Sequence, residues 1–142
     1  MTARNGSTNI FVYGTLRRDT QHQLFHLLAR NASFLGEAIV QARLYDLGEY
    51  PGMVYPDRGK VLGEVYRVDP THWDAVIQRL DEYEGCTSSD PEPHEYRRER
   101  IEARLMNGIV IPTWAYILNQ IPEGLREIKS GNYLEWRAGA GA

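Results

Sequence analysis

A long predicted β-hairpin in the second half of the chain limits the folds that the chain can adopt. Residues 96–105 alternate between apolar and charged side chains, and residues 109–118 are rich in β-branched and aromatic side chains. This pattern predicts two strands, and the Asn107-Gly108 pair between them is a strong signal for a tight turn. Pro112 predicts an edge or a bulge in the second strand, because proline cannot donate a ladder hydrogen bond. The chain must therefore contain an antiparallel sheet.

The remaining elements add more strands and two helices. Residues 10–13 form a short apolar strand, and residues 34–47 and 61–68 are again rich in β-branched and aromatic side chains. Helical spacing of apolar residues predicts helices over residues 20–30 and 70–84. Strands dominate, and they do not alternate with helices as in a parallel sheet. We therefore predict an α+β fold with a strongly curled or closed sheet and two main helices.

The length, the charge and the cysteine content limit the class of protein. The 142 residues are expected to form one domain over residues 9–137, with loose tails at residues 1–8 and 138–142. A net charge of −3, with acids and bases interspersed, offers no footprint for nucleic acid or an anionic membrane. One cysteine, no secretory signal and no stretch of about 20 apolar residues predict a soluble cytoplasmic protein. The expected partner is a small molecule, and the sequence leaves the oligomeric state open.

The segment FVYGTLRR, residues 11–18, contains a first candidate site. An apolar strand runs into Gly14, and a helix capped by Thr20 follows. Because glycine has no Cβ, a ligand can approach the main chain closely, and the N–H groups of Gly14, Thr15 and Leu16 could form a concave nest for a carboxylate. A strand-to-helix turn that simply needs glycine explains the same residues, and one glycine alone favours that interpretation.

The second predicted helix carries the second candidate site. Gly85 is typical of a helix end, so the helix should finish at Glu84. At about 100° per residue, Glu84 falls on the same buried stripe as Trp73, whereas Glu82 falls on the opposite face. A carboxylate in an apolar setting has a raised pKa, which suits a general base near neutral pH. A frayed last turn, or an ion pair with an arginine such as Arg97 or Arg98, would give Glu84 a structural role instead.

Other residues match functional motifs only in part. His22 and His26 have the spacing of a zinc-binding HExxH helix, but Gln23 replaces the glutamate and no third ligand is evident, so we expect no metal. Cys86 follows a helix C-terminus, where the helix dipole raises a thiol pKa, and is expected to be a packing residue. Tyr116 is expected to line the pocket or, as the simpler interpretation, to pack in the core. Four arginines alternate with glutamates along the first hairpin strand and should form a solvated face with cross-strand ion pairs. They are Arg97, Arg98, Arg100 and Arg104.

Four short motifs in a fixed order resemble a known family. VYGTLRR, GEVYRVD, LDEYEG and the Tyr96-Arg97 pair together look like the gamma-glutamylcyclotransferase superfamily. They are most similar to its small bacterial and gamma-glutamylamine cyclotransferase-like members. The order matches across residues 10–118. The resemblance implies a small mixed β-barrel flanked by helices, no cofactor, and release of 5-oxoproline from a small gamma-glutamyl substrate.

The same resemblance implies roles for single residues. Glu84 matches the catalytic glutamate of the family, and the helical-face argument selects the same residue independently. The positions that match substrate-binding residues are Tyr13, Gly14, Thr15, Leu16 and Tyr96. Residues 85–95 form a longer and more acidic loop than is typical of the family, which puts the placement of Tyr96 in question.

The resulting hypothesis is an enzyme that needs no nucleophile of its own. In a gamma-glutamyl amide the substrate's α-amine attacks the γ-carbonyl, closes a five-membered lactam and expels an amine or amino acid. Enforced intramolecular geometry can be worth effective molarities of about 10⁵ M or more, so the protein mainly folds the substrate, moves a proton and stabilises the oxyanion. Two alternatives stay open: a non-catalytic binding or regulatory protein on the same scaffold, and an amidase in which Glu84 activates water. The sequence does not specify the leaving group.

Overall fold

Five strands close into a barrel at the centre of the molecule. The computed structural model describes residues 7–14, 23–120 and 123–140. In barrel order the strands are β1 (Asn9–Val12), β5 (Lys60–Val68), β2 (Ala32–Gln41), β6 (Tyr96–Leu105) and β7 (Val110–Leu118). Neighbouring strands are antiparallel, except that β1 and β7 run parallel and close the barrel where Ile10 meets Trp114. The predicted α+β class and closed mixed barrel are confirmed.

A second sheet and three helices complete the described residues. The sheet contains β4 (Pro51–Val54), β3 (Arg43–Asp46) and β8 (Arg126–Glu127), in that order. The helices are α1 (Gln23–Asn31), α2 (Trp73–Glu84), preceded by a 3₁₀ turn at Pro70–His72, and α3 (Tyr133–Ala140). Helices α1 and α2 are the two predicted main helices, and residues 20–22 of the first prediction lie outside the described residues. None of the helices described is long and apolar enough to cross a membrane.

The two ends of the domain differ from the predicted boundaries by a few residues. The hydroxyl of Ser7 donates a hydrogen bond to the Pro112 carbonyl, and the Thr8 carbonyl accepts one from the Val68 N–H. These two residues therefore belong to the barrel in the structure, although they fall within the predicted tail. Helix α3 likewise continues to Ala140, into the segment predicted as the C-terminal tail. Its alternating alanines and glycines carry little helical signal, which is why the sequence does not predict it.

The predicted hairpin is formed by β6 and β7. Their register pairs Arg104 with Val110 and Tyr96 with Leu118, and Gly108 takes the left-handed φ of +94° that the tight turn requires. Pro112 is exposed and lies before the point where β1 joins β7, so it occupies an edge position as predicted, and the side chains of Ser7 and Asn9 donate hydrogen bonds to its carbonyl there. The hairpin therefore contributes two adjacent strands of the barrel wall.

Strand β1 is buried on both faces, which fixes the position of the residues that follow it. Phe11 and Tyr13 belong to the cluster that fills the barrel, whereas Ile10 packs outside the barrel with Leu28 of α1 and Leu80 of α2. Burying an apolar side chain of this size contributes about 1.5–3 kcal/mol. The end of β1 is therefore held firmly between the barrel and the two helices.

Candidate active site

A cavity of about 280 Å³ opens where five segments of the chain meet. The end of β1, the end of α2, the start of β6, Tyr116 of β7 and the turn between β3 and β4 all border it. Four residues that the sequence predicts as site residues lie in its wall. They are Tyr13, Gly14, Glu84 and Tyr96. Thr15 and Leu16, also predicted to bind substrate, lie outside the described residues.

The helix geometry turns Glu84 towards the cavity, as the sequence predicts. Helix α2 ends at Gly85, whose left-handed φ of +72° allows its N–H to bond back to the Glu82 carbonyl. On the same helix Ile77 and Leu80 are buried and the Glu82 side chain is exposed. Glu84 is partly buried and lines the cavity. The last turn is therefore capped rather than frayed.

The Glu84 carboxyl is poised near neutrality. Burial is the main cause that raises its pKa to about 7, and the carboxylates of Glu95 and Asp81 raise it further. Within the described part of the chain, no side chain donates a hydrogen bond to this carboxyl or forms an ion pair with it. The alternative that Glu84 pairs with Arg98 is wrong, because Arg98 is bound to Asp81.

Arg98 departs from its predicted surroundings, whereas Tyr116 fits both of the positions predicted for it. Arg98 forms two hydrogen bonds with Asp81 of α2, from Nε at 2.9 Å and from Nη2 at 3.2 Å. Tyr116 lines the cavity and donates its hydroxyl proton to Asp81 Oδ1 at 2.7 Å. Strand alternation predicts which face a side chain occupies but not which helix covers that face. The predicted solvated pairing is therefore wrong for Arg98, and Tyr116 belongs to the cavity wall as well as to a core cluster.

Two buried tyrosines hold the cavity wall together through the main chain. The hydroxyl of Tyr13 donates to the Tyr116 carbonyl at 2.7 Å and accepts from the Met53 N–H at 3.2 Å. The hydroxyl of Tyr96 donates to the Pro51 carbonyl at 2.6 Å. Burial raises the pKa of both tyrosines above its ordinary value. Tyr96 therefore reaches the site despite the long loop before it, but its hydroxyl proton is already engaged with protein.

The other predicted candidates contribute little chemistry. A Cβ on Gly14 would lie 2.8 Å from the Pro51 side chain, so this position needs glycine for close packing at the cavity edge. Burial, followed by the nearby Asp81 carboxylate, raises the pKa of the Cys86 thiol to about 11, which leaves it a poor nucleophile. His22 lies outside the described residues. In the part of the chain that the structure covers, no group of three or more His, Cys, Asp or Glu residues could hold a metal ion.

Three residues of the cavity wall escape the sequence analysis. Tyr50 and Tyr83 are 40% and 46% exposed, and Glu95 is exposed beside them. The Tyr50 hydroxyl donates to Glu95 Oε1 at 2.8 Å, and this hydrogen bond is the main cause that raises the pKa of Tyr50. Glu95 immediately precedes Tyr96 in the sequence, so the predicted position of Tyr96 at the site also brings Glu95 near the cavity. Nothing in the sequence brings Tyr50 to this point.

Fold and site together define a small α+β barrel with an ionisable acid in a tyrosine-lined cavity, which is a typical small-molecule site. The family described as gamma-glutamyl cyclotransferase, AIG2-like, matches residues 10–135, and the chain belongs to this family. The resemblance carried by the four sequence motifs is therefore confirmed.

Known proteins similar to this chain support the same assignment. The gamma-glutamylcyclotransferase family protein ytfP of Citrobacter rodentium is 39% identical over 127 residues, or 89% of this chain and 95% of that protein. An AIG2-like protein from Mus musculus gives a TM-score of 0.68 at 26% identity, over 89% of this chain and 87% of that chain. YkqA from Bacillus subtilis gives a TM-score of 0.70 at 25% identity. The matched region spans 94% of this chain but only 42% of the YkqA chain.

Proposed function

We propose that this protein is a gamma-glutamyl cyclotransferase that converts a small gamma-glutamyl compound into 5-oxoproline and a free amine or amino acid. The α-nitrogen of the substrate forms a bond to its γ-carbonyl carbon, and the bond from that carbon to the leaving nitrogen breaks. Two protons pass from the α-nitrogen to the leaving nitrogen. The first leaves the α-ammonium before the attack, the second leaves the attacking nitrogen as the lactam forms, and the amine departs in its ammonium form. Family membership supports this reaction class.

Glu84 is proposed to move both protons. A carboxyl group with a pKa of about 7 is present in both of its forms near neutral pH, so it can accept a proton and later return it. The location of this acid in the same cavity as Gly14 is the observation that carries the proposal. A site that only binds a ligand has no need for a carboxyl that is costly to ionise in place.

The glutamyl carboxylate is proposed to bind to the main chain that follows β1. This part of the proposal rests on the YGTL motif and on Gly14, whose main chain borders the cavity. Successive backbone N–H groups in such a turn form a site for an anion. The substrate would thus be held at one end by main-chain groups of residues 13–16, with its α-ammonium directed at Glu84.

The chemistry of the described cavity wall favours ring closure by the substrate itself over covalent catalysis. The wall offers no serine, threonine, cysteine, lysine or histidine among the residues that the structure describes there. The hydroxyl protons of Tyr13 and Tyr96 are bound to carbonyl oxygens. An intramolecular attack needs only geometry and proton transfer, and the enforced geometry can lower the barrier by about 7–11 kcal/mol.

Product analysis tests the proposed reaction. We expect the purified protein to release 5-oxoproline and the free amine in equal amounts when it is incubated with gamma-glutamyl dipeptides and gamma-glutamyl alkylamines. Reactions without protein measure the spontaneous cyclisation of each compound. Free glutamate in place of 5-oxoproline would identify an amidase, and saturable binding without either product would identify a binding protein.

A further inference from the structure

We propose that the mouth of the cavity selects gamma-glutamyl compounds whose leaving group carries its own positive charge, and that Glu95 and the ring of Tyr50 recognise that charge. The inference rests on the proposed function and names the half of the substrate that the sequence leaves open. It follows from the charge, the exposure and the contacts of the residues at the solvent side of the cavity.

The exposed residues define where the leaving group must lie. Tyr13 and Tyr96 are buried at 7% and 5% exposure, whereas Tyr50 and Tyr83 are 40% and 46% exposed. The glutamyl half must reach the partly buried Glu84 with its α-ammonium. The leaving group therefore extends outwards, past the mouth formed by Tyr50, Tyr83 and Glu95.

The described wall of the cavity is negatively charged. It contains the carboxyl groups of Glu84 and Glu95, and no lysine, arginine or histidine among the residues described there. The two carboxyls are close enough for Glu95 to be the second largest cause of the raised pKa of Glu84. A leaving group with a positive charge gains attraction here, whereas one with a further carboxylate is repelled.

Glu95 is held in position although it is exposed. Its main-chain carbonyl accepts a hydrogen bond from the Asn119 N–H at 3.0 Å, and the preceding His94 carbonyl accepts one from the Asn119 side chain at 2.8 Å. The Tyr50 hydroxyl fixes one oxygen of its carboxylate at 2.8 Å. The second oxygen receives no hydrogen bond from the described residues and remains accessible to an ammonium group of a ligand.

The aromatic rings add a second attraction for a cation. The rings of Tyr50 and Tyr96 are 6.2 Å apart and tilted by 51°, so they form a wall beside the Glu95 carboxylate. A cation near the face of an exposed ring gains a factor of about 2.3 to 5.5 in affinity, and an exposed ion pair contributes a factor of about 1.4 to 5.5. Together they predict a preference of about 3- to 30-fold for the charged leaving group.

Two probes of equal length isolate the charge. Mono-gamma-glutamyl-1,4-diaminobutane ends in an ammonium group, and gamma-glutamyl-n-pentylamine ends in a methyl group at the same position. We expect kcat/KM for 5-oxoproline release to favour the diaminobutane probe by about 3- to 30-fold at low salt, and the ratio to fall at higher salt because Glu95 is exposed.

Variants then assign the preference to Glu95. Glu95→Gln should lower the ratio between the two probes by about 1.4- to 5.5-fold and leave the part that the aromatic rings contribute. Glu92 is an exposed residue of the same loop that does not line the cavity, and Glu92→Gln should keep the full ratio. The ratio is the readout because it cancels effects common to both probes, such as a changed pKa of Glu84. A ratio of one in the unmodified protein, or the same ratio in Glu95→Gln, overturns the proposal.

Binding measurements separate this proposal from the proposed reaction. Calorimetry with the Glu84→Gln variant should show the diaminobutane probe binding about 3- to 30-fold more tightly than the pentylamine probe. Tighter binding of that probe by the variant, with no 5-oxoproline formed from either compound by the unmodified protein, supports the selection and contradicts the reaction. Equal affinities, or no binding of either probe, overturn the selection even where 5-oxoproline forms.

Discussion

Replacing Glu84 by glutamine should lower kcat for 5-oxoproline release by about 10²- to 10⁴-fold, the range that general acid–base catalysis contributes. Glutamine keeps the size and the cavity position of the side chain but cannot accept or return a proton. The variant should still bind substrate, because the main chain after β1 and the tyrosines of the cavity are unchanged. The measurement is single-turnover or steady-state release of 5-oxoproline from the substrate that the product screen identifies.

Glu82→Gln is the matched control for this experiment. Glu82 lies two residues away on the exposed face of α2, so its replacement makes the same chemical change without touching the cavity. It should retain nearly all of the activity. Turnover of Glu84→Gln close to that of Glu82→Gln would contradict the assignment of Glu84 as the proton carrier.

The pH dependence of the free energy of unfolding tests whether Glu84→Gln acts on chemistry and not on folding. The pKa of Glu84 is raised from 4.5 to about 7 in the folded protein, so the folded state binds more protons than the unfolded state between these values. The contribution of Glu84 to the free energy of unfolding therefore falls as the pH rises from about 4.5 to 7. Above pH 7 the variant should be at least as stable as the unmodified protein.

Gly63→Ala should lower the free energy of unfolding by about 3 kcal/mol, with a fall in Tm of roughly 10 °C. A Cβ at this position of β5 would collide with the Val12 carbonyl oxygen and would lie 2.6 Å from the Phe11 ring. The carbonyl belongs to the paired β1 strand and cannot move without breaking the register between Val12 and Glu64. Urea or thermal unfolding followed by circular dichroism measures the loss.

Gly139→Ala provides the control for Gly63→Ala. Gly139 lies in α3, and a Cβ built there meets no atom within 4 Å. Alanine favours a helix over glycine, so this variant should be neutral or slightly more stable. If Gly63→Ala were as stable as Gly139→Ala, the close approach of β1 and β5 would be wrong. Gly63, the glycine of the GEVYRVD motif, is thus needed for the close packing of β5 against β1, the strand that leads directly to Tyr13 and Gly14.

Local patterns in the sequence predict the parts of the site that depend on one element. The helical period alone places Glu84 on the buried face of α2, and the structure confirms it. Alternation and the Asn107-Gly108 turn likewise predict the β6–β7 hairpin. Each of these predictions needs only residues within one helix or one hairpin, where side-chain direction follows from backbone period.

Contacts between distant elements are the part that the sequence does not predict. Tyr50 meets Glu95 across 45 residues, and Asp81 meets Arg98 and Tyr116 from a different element. Charge alternation in β6 predicted a solvated face, because it cannot show that α2 covers Arg98. The second carboxyl of the cavity is therefore found only when the barrel, α2 and the β3–β4 turn are seen together.

The ionisation of Glu84 can be measured directly by ¹³C NMR of the glutamate side-chain carboxyl carbons during a pH titration. The resonance that is absent from the Glu84→Gln spectrum assigns the group. A midpoint near pH 7 is the expected result, because burial and the neighbouring carboxylates favour the protonated form. A midpoint near the ordinary glutamate value of 4.5 would mean that the side chain lies in water, and the proton-transfer role of this cavity would be contradicted.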